Sequence, residues 1–243
     1  MESEGLDILL AVDTSGSMRE EDFTRNGIPA NRLQIAKGVI ADFVQGRPHD
    51  RIGVVVFGEE AFTQVPLTLD HRTLVESLRT VEIGHAGSRG TAIGSAIAVS
   101  AKRLKDLDAP ERVIILLTDG QNNAGRVSPM QAAEAAAALG IKLYAIGVGQ
   151  RGGGGLSLFT GQDGIDERGL TAVAELTGGK YFRATDTRSL EKIYATIDQL
   201  QPSPAVVRDL VEHQERFRMF LLPGLFLLGV QFLLAQTWLR RGP

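Results

Sequence analysis

LDILLAVDTSGSM, residues Leu6 to Met18, joins a nearly unbroken apolar run to a turn dense in side-chain oxygens. Apolar character without in-and-out alternation is what a strand buried on both faces requires, and such strands belong to parallel sheets covered by helices on both sides. Ile52 to Phe57 (IGVVVF), Val113 to Leu117 (VIILL) and Ile141 to Val148 (IKLYAIGV) share that character. Between and after them, apolar residues recur at helical spacing: Leu33, Ala36, Ile40 and Phe43; Ile93, Ile97, Ala101 and Leu104; Leu190, Ile193, Tyr194 and Ile197. Each set marks an amphipathic helix with one buried stripe. The Ala-rich stretch Gln131 to Leu139, closed by Gly140, is a further helix.

Strands alternating with helices predict βαβ units with right-handed crossovers, hence a doubly wound α/β domain with a mostly parallel sheet and helices on both faces. Phe62 to Val65, just past the turn Gly58-Glu59-Glu60, predicts one antiparallel edge strand. Gly149 to Gly169, which contains RGGGG and GQDG, reads as a surface loop.

Composition removes several functions. With 26 Lys+Arg against 29 Asp+Glu, the 243-residue chain has no basic field to attract nucleic acid. Without cysteine there is no disulfide, thiolate metal site, Fe–S cluster or cysteine nucleophile. Near the C-terminus the pattern changes. Met219 to Leu239 is an uncharged run of the length that crosses a bilayer, with Trp238, Arg240 and Arg241 where interfacial residues belong. The expected organisation is therefore a domain over 1–200, a linker and juxtamembrane segment over 201–218, a single transmembrane helix in lipid over 219–239 and a short tail over 240–243.

In an open α/β sheet, ligands bind beyond the carboxyl ends of the strands. Asp13, Ser15 and Ser17 follow the first strand, Asp119 follows the Val113 to Leu117 strand, and Thr91 opens the helix that begins near Ala92. This set is all hard oxygen, with two negative charges and neither imidazole nor thiolate, which suits Mg²⁺, with Mn²⁺ or Ca²⁺ as substitutes. Hydroxyls and water leave a coordination position for an outside oxygen. Asp and Ser after a strand also serve simply as helix caps, and Thr118-Asp119-Gly120 is a common turn. His49, His71, His85 and His213 show no paired spacing and read as surface residues. Arg89 and Arg126 flank the site, either to attract an acidic partner or as plain solvated charge. Gly152 to Gly155 lacks the ending of a phosphate-binding loop.

The Asp13-Thr14-Ser15-Gly16-Ser17 motif, with Thr91 and Asp119, resembles the metal-ion-dependent adhesion site of von Willebrand factor A domains, over roughly Leu6 to Leu200. The resemblance implies that the two serines and the threonine bind the ion directly, that the aspartates act largely through water, and that a partner Asp or Glu completes the shell. More narrowly, FGEEAFTQVPLT (57–68), GTAIGSAI (90–97) and ELTGGKYFRATD (175–186) resemble the BatA-type aerotolerance proteins of bacteria. That likeness implies other A-domain proteins and a MoxR-type AAA+ ATPase as partners. It also implies a domain on the periplasmic side of a bacterial inner membrane, with a hydrophobic segment ahead of Met1. The competing class is a Mg²⁺-dependent phosphoryl-transfer enzyme with Asp13 as nucleophile. Such phosphatases carry a second acid two residues on, where this chain has Ser15. A binding module is the expected class.

Overall fold

The computed structural model describes residues 5–25, 27–107, 109–149, 164–202, 227, 228 and 231. The chain divides into two compact units, 1–205 and 206–243, and the first carries the fold.

A six-stranded sheet forms its centre, in the order Ala61–Thr68, Arg51–Phe57, Asp7–Asp13, Arg112–Thr118, Ile141–Val148, Tyr181–Ala184. The strands are β1 (Asp7–Asp13), β4 (Arg51–Phe57), β5 (Ala61–Thr68), β6 (Arg112–Thr118), β7 (Ile141–Val148) and β8 (Tyr181–Ala184). β1 lies parallel to both β4 and β6, β6 to β7, and β7 to β8. β5 alone runs antiparallel, at the edge. Pro66, which has no N–H to donate, is tolerated there because an edge strand leaves half its groups unpaired. The helices are α1 (Arg32–Gln45), α2 (His71–Arg79), α3 (Ile93–Leu104), α4 (Pro129–Ala138), α5 (Glu167–Leu176) and α6 (Thr187–Leu200).

The apolar strands divide their side chains between two cores. Ile8, Leu10 and Val12 of β1 pack into one with α1, α2 and α6, while Leu9 and Ala11 pack into the other with α3, α4 and α5. Both faces are covered, which is why the sequence of β1 shows no alternation. Local chemistry fixes the helix starts. Asn31, Ser128 and Asp186 each form a capping box with the residue three positions on, and Pro129 occupies the first turn of α4. Gly140 ends α4 at φ 68°, a conformation that favours glycine.

Four expectations need correction or addition. Among the described residues no helix is long and apolar enough to cross a membrane. The single transmembrane helix expected over Met219 to Leu239, and the anchoring in an inner membrane through it, are corrected accordingly; apart from Leu227, Leu228 and Gln231, that segment lies outside the described residues. An uncharged run is only a statement of composition, whereas a span needs some 20 residues of continuous helix. Second, the stretch read as a loop to Gly169 gives way to α5: the Asp166 side chain accepts from Gly169 N at 2.9 Å, so Gly169 lies in the first helical turn. Residues 150–163 of the same stretch, including Gly152 to Gly155, lie outside the described residues. Third, a short antiparallel hairpin, β2 (Phe23–Arg25) with β3 (Ile28–Ala30), precedes α1. Fourth, α2 and β8 complete the fold.

After β1 the chain moves to β4 on one side, then to β6 on the other. The crevice beyond the carboxyl ends of β1 and β6 is therefore the topological switch point of the sheet. Asp13 ends β1, opposite Phe57 of β4, and Thr118 ends β6.

Candidate metal centre

Asp13 is fully buried at that crevice. Its Oδ1 accepts from Ser15 N at 2.8 Å and its Oδ2 from Thr118 Oγ1 at 2.6 Å. Ser15 Oγ and Ser17 Oγ lie 3.1 Å apart, and Ser17 Oγ donates to Asp119 Oδ1 at 2.6 Å. Asp13, Ser15, Ser17 and Asp119 thus form one connected cluster. Ser15 occupies the N-cap position of the short 3₁₀ turn Gly16–Arg19 but makes no side-chain cap bond. Its hydroxyl faces Ser17 instead, which answers the helix-capping alternative at this residue.

Close backbone approach holds the turn in place. Gly16 N donates to Ser88 O at 3.0 Å, and a Cβ on Gly16 would stand 2.9 Å from that oxygen, so a side chain there forces the loops apart. Thr91 arrives on the same side: its N donates to Asn123 Oδ1 at 2.8 Å, and its Oγ1 lies 3.2 Å from where a Cβ on Gly120 would be. Asp13, Ser15, Thr91 and Asp119 are buried while Ser17 is exposed, so the cluster opens to solvent at Ser17.

Burial and the charge of Asp119 push the Asp13 carboxyl up to about 7, against the opposing hydrogen bonds of Thr118 and Ser15. Burial also raises Asp119, while hydrogen bonds from Ser17 and Arg32 hold it back. Two carboxylates thus share a desolvated crevice, where a like charge disfavours ionisation of both. A cation there relieves that cost. Among the described residues no three of His, Cys, Asp and Glu gather as metal ligands; the donors here are hydroxyls and two carboxylates, a set that fits a hard dication and offers nothing to a soft one.

Residues 7–196 match the family described as von Willebrand factor type A domain. The chain belongs to that family. In sequence this A domain is 28% identical over 250 residues to an uncharacterised protein of Borreliella burgdorferi, covering 98% of this chain and 71% of the relative. Its fold is similar to that of BatB from Bacteroides thetaiotaomicron (TM-score 0.68, 29% identity, 81% of this chain and 98% of that one). An aerotolerance-related membrane protein from Bacteroides fragilis is similar at TM-score 0.63 and 26% identity, over 79% and 98% of the two chains. These neighbours agree with the BatA-type resemblance. Proximal thread matrix protein 1 from the mussel byssus, solved with a zinc-occupied metal-ion-dependent adhesion site, is 25% identical with TM-score 0.63, over 80% of this chain and 45% of that one.

Two residues of the A domain's crevice had no role assigned from sequence. Thr118 was legible only as part of a turn, yet its hydroxyl holds Asp13. Arg32 opens α1 and donates from Nη1 to Asp119 Oδ2 at 2.9 Å. The available signal was a cation in the first turn of a helix, where the dipole favours an acid. Burial favours its neutral form, but the hydrogen bonds and charges of Asp22 and Asp119 outweigh this and raise Arg32 above the usual arginine range. Arg89 and Arg126 are exposed on the surrounding loops, and the Arg89 N–H donates to Glu59 Oε1 at 2.9 Å. His71 Nε2 lies 2.9 Å from Asp50 O and His85 packs on Phe62, while His49 is exposed; His213 lies outside the described residues.

Proposed function

We propose that this A domain is a divalent-metal-dependent protein-binding module. Ser15, Ser17 and Thr91 bind the ion directly, Asp13 and Asp119 act through water, and an Asp or Glu of the partner fills the remaining position. The ion is Mg²⁺, with Mn²⁺ or Ca²⁺ as substitutes. The carrying observation is the chain of short hydrogen bonds that gathers Asp13, Ser15, Ser17 and Asp119 at the switch point with two carboxylates in one desolvated crevice. The zinc-occupied site of the mussel protein supports a divalent ion at the corresponding motif. When bound, the ion supplies a Lewis-acidic position for a carboxylate. Other A-domain proteins and a MoxR-type AAA+ ATPase are the partner classes that the BatA-type resemblance puts forward.

Binding accounts for Asp13 better than nucleophilic catalysis does. Both of its oxygens are engaged, by Ser15 N and by Thr118 Oγ1, and the residue is buried. Phosphatases with an aspartate nucleophile also carry a second acid two residues on, and that position here is Ser15, whose hydroxyl faces Ser17.

The test is affinity capture on immobilised domain, wild type against Asp13→Ala, in Mg²⁺ and in chelator. A protein retained only by wild type in Mg²⁺, and released when its own acidic residues are replaced, supports the proposal. Retention indifferent to chelation and to Asp13→Ala contradicts it, and metal-dependent phosphatase turnover lost in Asp13→Ala replaces it with the enzyme.

A further inference from the structure

Arg32, at the start of α1, gathers three acidic side chains. Its Nη1 donates to Asp119 Oδ2 at 2.9 Å, and its Nε and Nη2 donate to Asp22 at 3.0 and 2.6 Å. Nη2 also contacts Glu20 Oε2. The guanidinium is nearly buried. Gly149, just past β7, covers it so closely that a Cβ there would stand 3.0 Å from Nη2 and 3.1 Å from Cζ. Arg32 therefore ties the end of β6 to the segment that follows the Asp13 to Ser17 turn.

We propose that Arg32 is the resident counter-cation of the metal centre: it neutralises Asp119 while no ion is bound, and so keeps the domain's own affinity for a divalent ion low until a partner carboxylate arrives. This deepens the metal-site reading and rests on it. A guanidinium keeps its charge under all ordinary conditions, so the site cannot shed the competitor by deprotonation. A dication entering beside it meets repulsion from Arg32 as well as attraction from Asp13 and Asp119. A partner carboxylate adds the missing negative charge, which makes ion and partner bind cooperatively, each raising the affinity for the other by the same factor. Glu20 and Asp22 divide the guanidinium's charge with Asp119. Glu20 is mostly exposed and Asp22 partly so, which leaves this alternative anchor outside the crevice.

The test is titration with Mn²⁺ alone, reading free Mn²⁺ by electron paramagnetic resonance, with circular dichroism to confirm folding. Arg32→Gln should bind Mn²⁺ about tenfold tighter or more, the scale of one charge removed a few ångströms away. A residue with a purely structural role would weaken binding when replaced. Asp22→Asn, at a partly exposed position, should bind at least about threefold more weakly, because the guanidinium then leans on Asp119. If Arg32→Gln does not fold, Arg32→Met, which keeps the apolar stem without the charge, takes its place with the same expectation. Wild-type Mn²⁺ binding with a folded Arg32→Gln that binds no tighter overturns the counter-cation alone, as does Asp22→Asn with unchanged or tighter binding. Absence of Mn²⁺ binding above the Asp13→Ala level in every chain overturns the metal site and the counter-cation together.

Discussion

Thr118 Oγ1 donates a 2.6 Å hydrogen bond to Asp13 Oδ2, so the last residue of β6 holds the carboxylate at the end of β1. The two residues are 105 apart in the chain and fully buried.

Thr118→Val keeps the shape and removes that donor. A buried carboxylate left with one fewer hydrogen bond is costly, and the expected loss is about 1–3 kcal/mol of stability in chemical denaturation. Mn²⁺ affinity should fall with it, because Asp13 is no longer held in place. Unchanged stability and affinity would show that Asp13 does not depend on this contact.

The raised Asp13 gives the metal-free domain a pH signature. Its carboxyl stands at about 7 in the folded protein against 3.8 ordinarily, so between those values the folded state keeps a proton that the unfolded chain has released. Stability from this group is present below about pH 4 and is lost as pH rises through about 7. Asp119, also raised, contributes with the same sign. In chelator, Asp13→Asn should therefore melt higher than wild type at pH 8, by about 3 °C or more, and the difference should close towards pH 4. Parallel melting curves across that range would contradict the assignment.

Gly58, just past β4, accepts from Ala92 N at 2.7 Å, and a Cβ on it would stand 2.1 Å from Gly87 O. Gly58→Ala must push the Gly87 to Thr91 loop outward. The expectation is a loss of about 1–3 kcal/mol from overpacking, together with weakened Mn²⁺ binding through displaced Thr91. A variant as stable and as metal-competent as wild type would mean that this loop yields without cost.

The opposite end of the sheet is braced differently. Arg47 is buried, pairs with buried Asp50 at 2.7 Å, reaches Gln201 O at 2.7 Å and Asp198 Oδ1 at 2.8 Å, and lies over the Phe43 ring. It thereby fastens the end of α6 to the end of α1. Arg47→Met removes the buried cation that faces Asp50 and the bonds to Gln201 and Asp198, and should cost about 3–5 kcal/mol. Asp198 is half exposed, and Asp198→Asn should cost less than about 1 kcal/mol. Denaturant midpoints separate the two. Equal effects would assign the bracing to the surface pair.

The sheet was legible because β1, β4, β6 and β7 are buried on both faces and carry continuous Val, Ile and Leu. The edge strand was legible because a turn and a second apolar run follow β4 directly. Other elements leave fainter traces. α2 buries only Leu74, Val75 and Leu78 on a largely polar helix, and β8 is four residues long and mostly half-buried. Gly169 misled because glycine reads as a loop until Asp166 caps the helix around it. The oxygen cluster was legible from spacing, since Asp13, Ser15 and Ser17 stand together in the chain. Arg32 was not, because its meeting with Asp119 spans 87 residues and is set by the crossover from β1 to β6. The apolar run at Met219 to Leu239 is different: composition suggests a spanning helix, and among the described residues no helix is long and apolar enough to cross a membrane.

Whether the Asp13 crevice holds a divalent ion on hydroxyl oxygens can be read from the anomalous difference density of crystals of the domain grown with Mn²⁺. The expected result is a single strong peak within direct bonding distance of Ser15 Oγ, Ser17 Oγ and Thr91 Oγ1, absent from Ser15→Ala crystals grown in the same way. Wild-type crystals with no peak in that crevice, or with the ion bound elsewhere on the domain, would contradict it.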